Sequence, residues 1–139
     1  MDELRFVIDT NILVSEVLIQ SSVPDLAFKK AKSLGRILFS KATFEELQEI
    51  LNRSKFDKYI SASIRTQFLA KLKLEAEQVT INQIIQECRD PKDDKFLEVA
   101  INGNATHIIT GDKDLLALHP FRGVDIITAT QFLEIFPDI

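Results

Sequence analysis

Four carboxylates in this chain stand where acid–base or metal chemistry would need them: Asp9, Glu46, Asp94 and Asp112. Asp9 closes the apolar run Phe6-Val7-Ile8 and precedes a segment with helical spacing, Ile12, Leu13, Val17 and Leu18. That pattern is a buried parallel strand feeding a turn into a helix. A carboxylate there lies at the carboxyl end of the strand, where open α/β sheets hold their ligands. Asp112 follows a second apolar strand through Thr110-Gly111; Asp114 is its neighbouring alternative, and one of the two caps the Lys113–Leu118 turn. Asp94 follows the helix start Asp90-Pro91-Lys92-Asp93, in which Asp90 as cap and Asp93 as a first-turn acid have a sufficient structural explanation. Asp94 lies a step further in, with Glu98 one turn later on the same face. Glu46 sits in a third helix, at the edge of the stripe made by Leu47, Ile50 and Leu51.

Each of these acids also has a structural reading. Asp9 suits an N-cap, although Asn11 could cap instead and leave Asp9 free. Glu46 could form a capping box with Thr43, and acids at a helix start are ordinarily favoured by the dipole. Their joint occurrence points further. Carboxylates held within a few ångströms repel one another and raise each other's pKa values, so the cluster needs a cation. Oxygen donors alone indicate Mg²⁺ or Mn²⁺, ions that assist in-line displacement at a phosphodiester. One Cys and two separated His give neither a disulfide nor zinc-ligand spacing.

The elements that must position these acids alternate along the chain. After the first strand and helix, Ser21-Ser22-Val23-Pro24 is a loop, and Pro24 opens a second helix through Leu34 that Gly35 stops. Ile37-Leu38-Phe39 reads as a strand, and Ser40 or Thr43 caps the third helix. A long helix is expected from Ser61 to Glu77 with Ile64, Phe68, Leu69 and Leu72 inward, then a short strand at Val79-Thr80-Ile81. The helix after Asp90 carries Phe96, Leu97, Ala100 and Ile101 and stops near Gly103. Strands at His107–Thr110 and Val124–Thr128 follow, the latter leading to a short helix around Phe132 and Leu133. Alternation of this kind predicts an α/β protein: a three-layer α/β/α sandwich around a mostly parallel sheet. The 139 residues are read as one domain.

The start of the chain is acidic, and no apolar run approaches the ~18 residues of a membrane span. The chain is therefore expected to be cytoplasmic. Its net charge is −4 but unevenly spread: Lys29 to Lys73 holds 11 Lys/Arg against 4 Asp/Glu. An acidic, cation-binding centre beside a basic surface fits this asymmetry, as do helices with solvated lysine faces.

Five segments carry a family likeness: VIDTNILVS at 7–15, FSKATFEELQEILNRSKF at 39–56, RDPKDDKFLEVA at 89–100, THIITGDKDLL at 106–116, and the VDIIT strand before Phe132-Leu133. In this order and spacing the chain resembles the PIN-domain ribonucleases, in particular the bacterial and archaeal toxins of toxin–antitoxin pairs of the VapC type. The resemblance implies Mg²⁺- or Mn²⁺-dependent cleavage of single-stranded RNA, with Asp9, Glu46, Asp94 and Asp112 as catalytic and metal-binding acids. Asp94 is preferred to Asp93 because the family's third acid stands six residues before a small helix residue, here Ala100. Asn11 matches a polar residue that orients the first Asp, Thr110 stands beside the fourth acid, and Asp114 matches a second acid that often follows it. Thr106 stands where Asp is common and Ala129 where Pro is common. A homodimer and a small antitoxin covering the acidic cleft are implied as partners. Lys29, Lys30, Lys32, Arg36, Arg53, Lys55 and Lys58 are the residues expected to grip the RNA backbone. Two rivals are a PIN-like fold without catalysis that binds RNA or protein, and a haloacid-dehalogenase-type phosphatase built on Asp9-Thr10. The latter needs an Asp where Asn11 stands.

Overall fold

Strand β1 (Leu4–Ile8) forms where β-branched and aromatic residues run together, and it is buried on both faces. Alternation along the strand sends Phe6 and Ile8 into one apolar layer and Val7 into the other. The neighbouring strands repeat this: Ile37, Ile109 and Ile127 join Phe6, whereas Leu38, Ile108 and Ile126 join Val7. The computed structural model describes residues 3–137.

After β1 come α1 (Thr10–Leu18), α2 (Val23–Leu34), β2 (Gly35–Phe39), α3 (Lys41–Leu51), α4 (Ala62–Glu75) and β3 (Glu77–Gln78). Next are α5 (Asp94–Asn102), β4 (His107–Ile109), α6 (Lys113–Leu116), β5 (Asp125–Ile127) and α7 (Ala129–Ile135). The five strands are parallel, in the order β3-β2-β1-β4-β5. Phe6 lies opposite Ile37 on one side and His107 on the other. Helices α1–α4 and α7 cover the face carrying Phe6; α5 and α6 cover the face carrying Val7. The expected three-layer sandwich is what forms.

Local chemistry sets the boundaries. Ser22 accepts from the Asp25 amide to start α2, Ser61 from the Ile64 amide to start α4, and Thr128 forms a capping box with Gln131 to start α7. Gly35 sits where β2 meets β1, and a Cβ there would lie 2.0 Å from the Leu4 carbonyl oxygen, so only glycine fits.

Two expectations are corrected. Strand β3 is Glu77–Gln78, not Val79–Ile81: the ladder ends as the Val79 amide donates to Phe39 O at 2.7 Å, and Val79 then turns its side chain into the core. Glu77 is held there by Arg5, which reaches it from β1 in a bidentate pair of 3.2 and 2.6 Å. On α4, Ile64 is 51% exposed and the inward line is Arg65, Leu69 and Leu72. Arg65 takes the inward place because its guanidinium is answered by Asp57 (2.7 Å) and Leu51 O (3.2 Å).

Candidate active site

The strand order reverses beside β1: β2 and β3 extend the sheet to one side, β4 and β5 to the other. Ligands of open α/β sheets sit at such a reversal, off the carboxyl ends of the strands. Asp9 follows β1 and Thr110 follows β4 at that place, and the two are buried, at 5% and 0% exposure. Asp9 is the N-cap of α1, its Oδ1 accepting from the Asn11 amide at 3.3 Å. Its Oδ2 accepts from the Thr110 hydroxyl at 2.6 Å. Thr110 Oγ1 in turn accepts from the Asp112 amide at 3.0 Å, so one side chain ties the first acid to the loop of the last. Burial raises the Asp9 pKa; Thr110 and the Asn11 amide oppose this, and the charges of Asp112 and Glu46 add to the rise.

Asp112 caps α6, its Oδ1 accepting from the amides of Asp114 (2.7 Å) and Leu115 (3.3 Å). Asp114 is a first-turn acid of that helix. Asn11 meets Asp9 through its backbone and leaves its side chain exposed, so it does not replace Asp9 as cap.

Asp93 and the expected third acid, Asp94, have different surroundings. Asp93 ends a 3₁₀ turn opened by Asp90, is 6% exposed, and its Oδ2 is buried without a hydrogen-bond partner. Burial and then Asp112 push its pKa up to about 7, with Asp9 adding to the rise. Asp94 has another task. Its Oδ1 accepts from the amides of Glu87 (3.2 Å) and Cys88 (2.7 Å). One turn on, Glu98 accepts from the Ile85 amide, and a turn further Asn102 accepts from Asn82 and Gln83. These three residues, four apart, are one face of α5, and together they fasten the 82–88 loop. Asp93 precedes Phe96, Leu97 and Ala100 by three, four and seven residues and so extends the buried stripe.

Glu46 is freed from the capping box anticipated for it, since Ser40 and Thr43 form that box between themselves. It is half-buried and forms an ion pair with Lys95 of α5. Lys95 was not singled out from sequence, yet a cation in the first turn of a helix runs against the dipole and marks it as unusual.

The model of the family described as PIN domain matches residues 5–114. The chain belongs to the PIN-domain family. Among solved structures, this PIN domain is similar to VapBC2 from Rickettsia felis bound to a DNA fragment from their promoter, at TM-score 0.59 and 14% identity over 90% of this chain and 98% of that one. It is likewise similar to PAE2754 from Pyrobaculum aerophilum, at TM-score 0.62 and 15% identity over 98% of this chain and 92% of that one. No curated protein sequence matches the chain.

In this PIN domain the donor set suits a hard divalent cation: carboxylate oxygens only, mutually repelling, one of them buried and unpaired. Among the described residues no group of three or more His, Cys, Asp and Glu is arranged to hold a metal ion. Among the described residues no helix is long and apolar enough to cross a membrane.

Lys29, Lys32 and Arg36 line a cleft of about 660 Å³ where β2 begins, at the opposite end of the sheet from Asp9. Lys29 pairs with Asp25 (3.1 Å), Arg36 with Glu3 (3.2 Å), and Lys32 lies over the Phe28 ring. Lys30 lies on the same helix, α2. Arg53 lies 3.9 Å from Glu49 at the far end of α3, while Lys55 and Lys58 cover Phe56 and Tyr59.

Proposed function

We propose that this PIN domain is a metal-dependent endoribonuclease that hydrolyses phosphodiesters of single-stranded RNA. The observation that carries the reading is the tie at the sheet reversal, where Thr110 joins Asp9 to the loop of Asp112, together with the buried, unpaired Oδ2 of Asp93, whose carboxyl is repelled by both. A bound Mg²⁺ or Mn²⁺ supplies positive charge for the phosphodiester and acidifies a water. Asp9, Asp93 and Asp112 would hold it. Thr110 and the Asn11 amide fix the orientation of Asp9, and the two cap amides fix Asp112. Glu46 closes the cluster from α3. Asp94 acts beside them by fastening the 82–88 loop, in place of the ligand role the resemblance gives it.

The family resemblance, together with a fold shared with a protein solved as VapBC2, supports the toxin half of a toxin–antitoxin pair. On this reading the chain is a cytoplasmic homodimer whose antitoxin covers the acids. The test is cleavage of a labelled single-stranded RNA with Mn²⁺. Asp9→Asn or EDTA abolishes cleavage while the circular-dichroism melt persists; activity that survives both would remove the metal mechanism. A second reading, a silent RNA- or protein-binding module, draws on the Lys95–Glu46 pair, which already neutralises one acid. RNA binding without Mn²⁺-stimulated cleavage would favour it.

A further inference from the structure

Lys95 is the second residue of α5, in the turn where a helix dipole disfavours a cation. Asp93 and Asp94 before it suit that place; Lys95 does not. Its compensation comes from another element, Glu46 of α3, and the paired side chains keep 24% and 25% exposure. Lys95 also follows the buried Asp93 by only two residues at the start of the same helix. An ammonium on a flexible stem therefore stands on the rim of the acid cluster, with part of its surface open to solvent.

A carboxylate engaged with an ammonium is a poorer ligand for a divalent ion, so ion binding and the Lys95–Glu46 pair oppose each other. A lysine can release such a pair by rotating its side chain alone, with no movement of the backbone, and it offers three donors to phosphate oxygens. We infer that Lys95 is a phosphate-contacting residue, held by Glu46 in the free protein and transferred to a non-bridging oxygen of the substrate when Glu46 turns to the ion. The inference rests on the nuclease reading above and adds a substrate contact on α5, which the lysines and arginines of residues 29–58 do not supply.

The experiment compares wild type, Lys95→Gln and Lys95→Arg in two measurements: Mn²⁺ affinity of the metal-stripped protein, from the free-ion EPR signal, and kcat and KM on a fluorogenic single-stranded RNA. Lys95→Gln is expected to bind Mn²⁺ about threefold more tightly, the scale of a half-exposed ion pair. It is also expected to lose about tenfold or more in kcat/KM, the scale of a charge-assisted phosphate contact. Lys95→Arg keeps both values within about threefold. Were Lys95 only a clamp between α3 and α5, Lys95→Gln would weaken Mn²⁺ binding and lower the melting temperature as well, and the inference would be overturned. Unchanged Mn²⁺ affinity and kcat/KM in Lys95→Gln would overturn it equally. A wild type that binds no Mn²⁺ and cuts no RNA instead overturns the nuclease reading itself.

Discussion

The Thr110 hydroxyl donates to Asp9 Oδ2 at 2.6 Å across residues 101 apart in sequence, joining the carboxyl ends of β1 and β4 at the reversal of the sheet. A fully buried hydroxyl with a buried carboxylate beside it favours the charged form of Asp9 against the cost of burial. Because the same oxygen accepts from the Asp112 amide, the loop after β4 cannot shift without moving Asp9's partner.

Thr110→Val removes the donor to Asp9 and the acceptor for the Asp112 amide at nearly constant shape. Leaving those groups unpaired is expected to cost about 1–3 kcal/mol of stability. Cleavage falls sharply too, since Asp9 loses its orientation. Thr110→Ser keeps the hydroxyl and should recover most of both. Urea unfolding and a cleavage assay decide; a Val variant as stable and active as wild type would show that the bond is idle.

Asp112 has two roles that substitution can separate. Alanine deletes the cap of α6, at about 0.5–2 kcal/mol, as well as the charge. Asparagine keeps an oxygen for the Asp114 and Leu115 amides and removes the charge that repels Asp93. Both variants are expected to lose cleavage, with only Asp112→Ala losing stability in urea. Retained cleavage in Asp112→Asn would take that residue out of the chemistry.

Residue pattern made the sheet legible wherever a strand was apolar throughout, as at Phe6-Val7-Ile8 and His107–Ile109, because burial on both faces leaves an unbroken run. It did not reveal β3, whose Glu77-Gln78 is polar and is set by Arg5 from a strand two places away. It misplaced Ile64, since no local signal says that Arg65 has carbonyl and carboxylate partners inside. Among the acids, position after a strand placed Asp9 and Asp112 beyond the carboxyl ends of β1 and β4, each capping the next helix. The hydrogen bonds of Asp94 to the 82–88 loop were not legible, because those amides come to α5 only in three dimensions. Charge counted along the chain carries no information about which end of the sheet each helix terminus occupies.

Glu16 predicts a pH dependence away from the acid cluster. Burial, then the charge of Asp25, moves its pKa from the ordinary 4.5 to about 7. Its Oε2 is buried and unpaired as a carboxylate; carrying a proton, Glu16 donates to Asp25. Asp25 is pushed up by burial, but the Ser21 amide and Lys29 outweigh this and hold it below the ordinary range. The folded state therefore binds the Glu16 proton more tightly than the unfolded chain does. Its stabilising effect is complete below about pH 4.5 and fades as pH rises toward about 7. Glu16→Gln donates to Asp25 at every pH. Urea midpoints of wild type and variant are expected to converge near pH 5 and to separate by pH 8, with the variant the more stable. A constant difference across that range would mean that Glu16 titrates normally.

Asp93 and Asp94 are adjacent, yet their substitutions should fail in different ways. Asp93→Asn removes a buried, unpaired charge facing Asp112, so it should keep or raise stability at pH 8 while abolishing Mn²⁺-dependent cleavage. Asp94→Ala frees the amides of Glu87 and Cys88, at about 1–3 kcal/mol, and speeds hydrogen exchange there. Its loss of activity should be partial and should follow the loosening of the loop. Asp94→Asn, which keeps an acceptor oxygen, should restore slow exchange at both amides and much of the activity. The opposite result, Mn²⁺ affinity lost in Asp94→Asn and kept in Asp93→Asn, would return the third ligand to the position that the family spacing before Ala100 implies. The buried Asp93 carboxyl would then need another explanation.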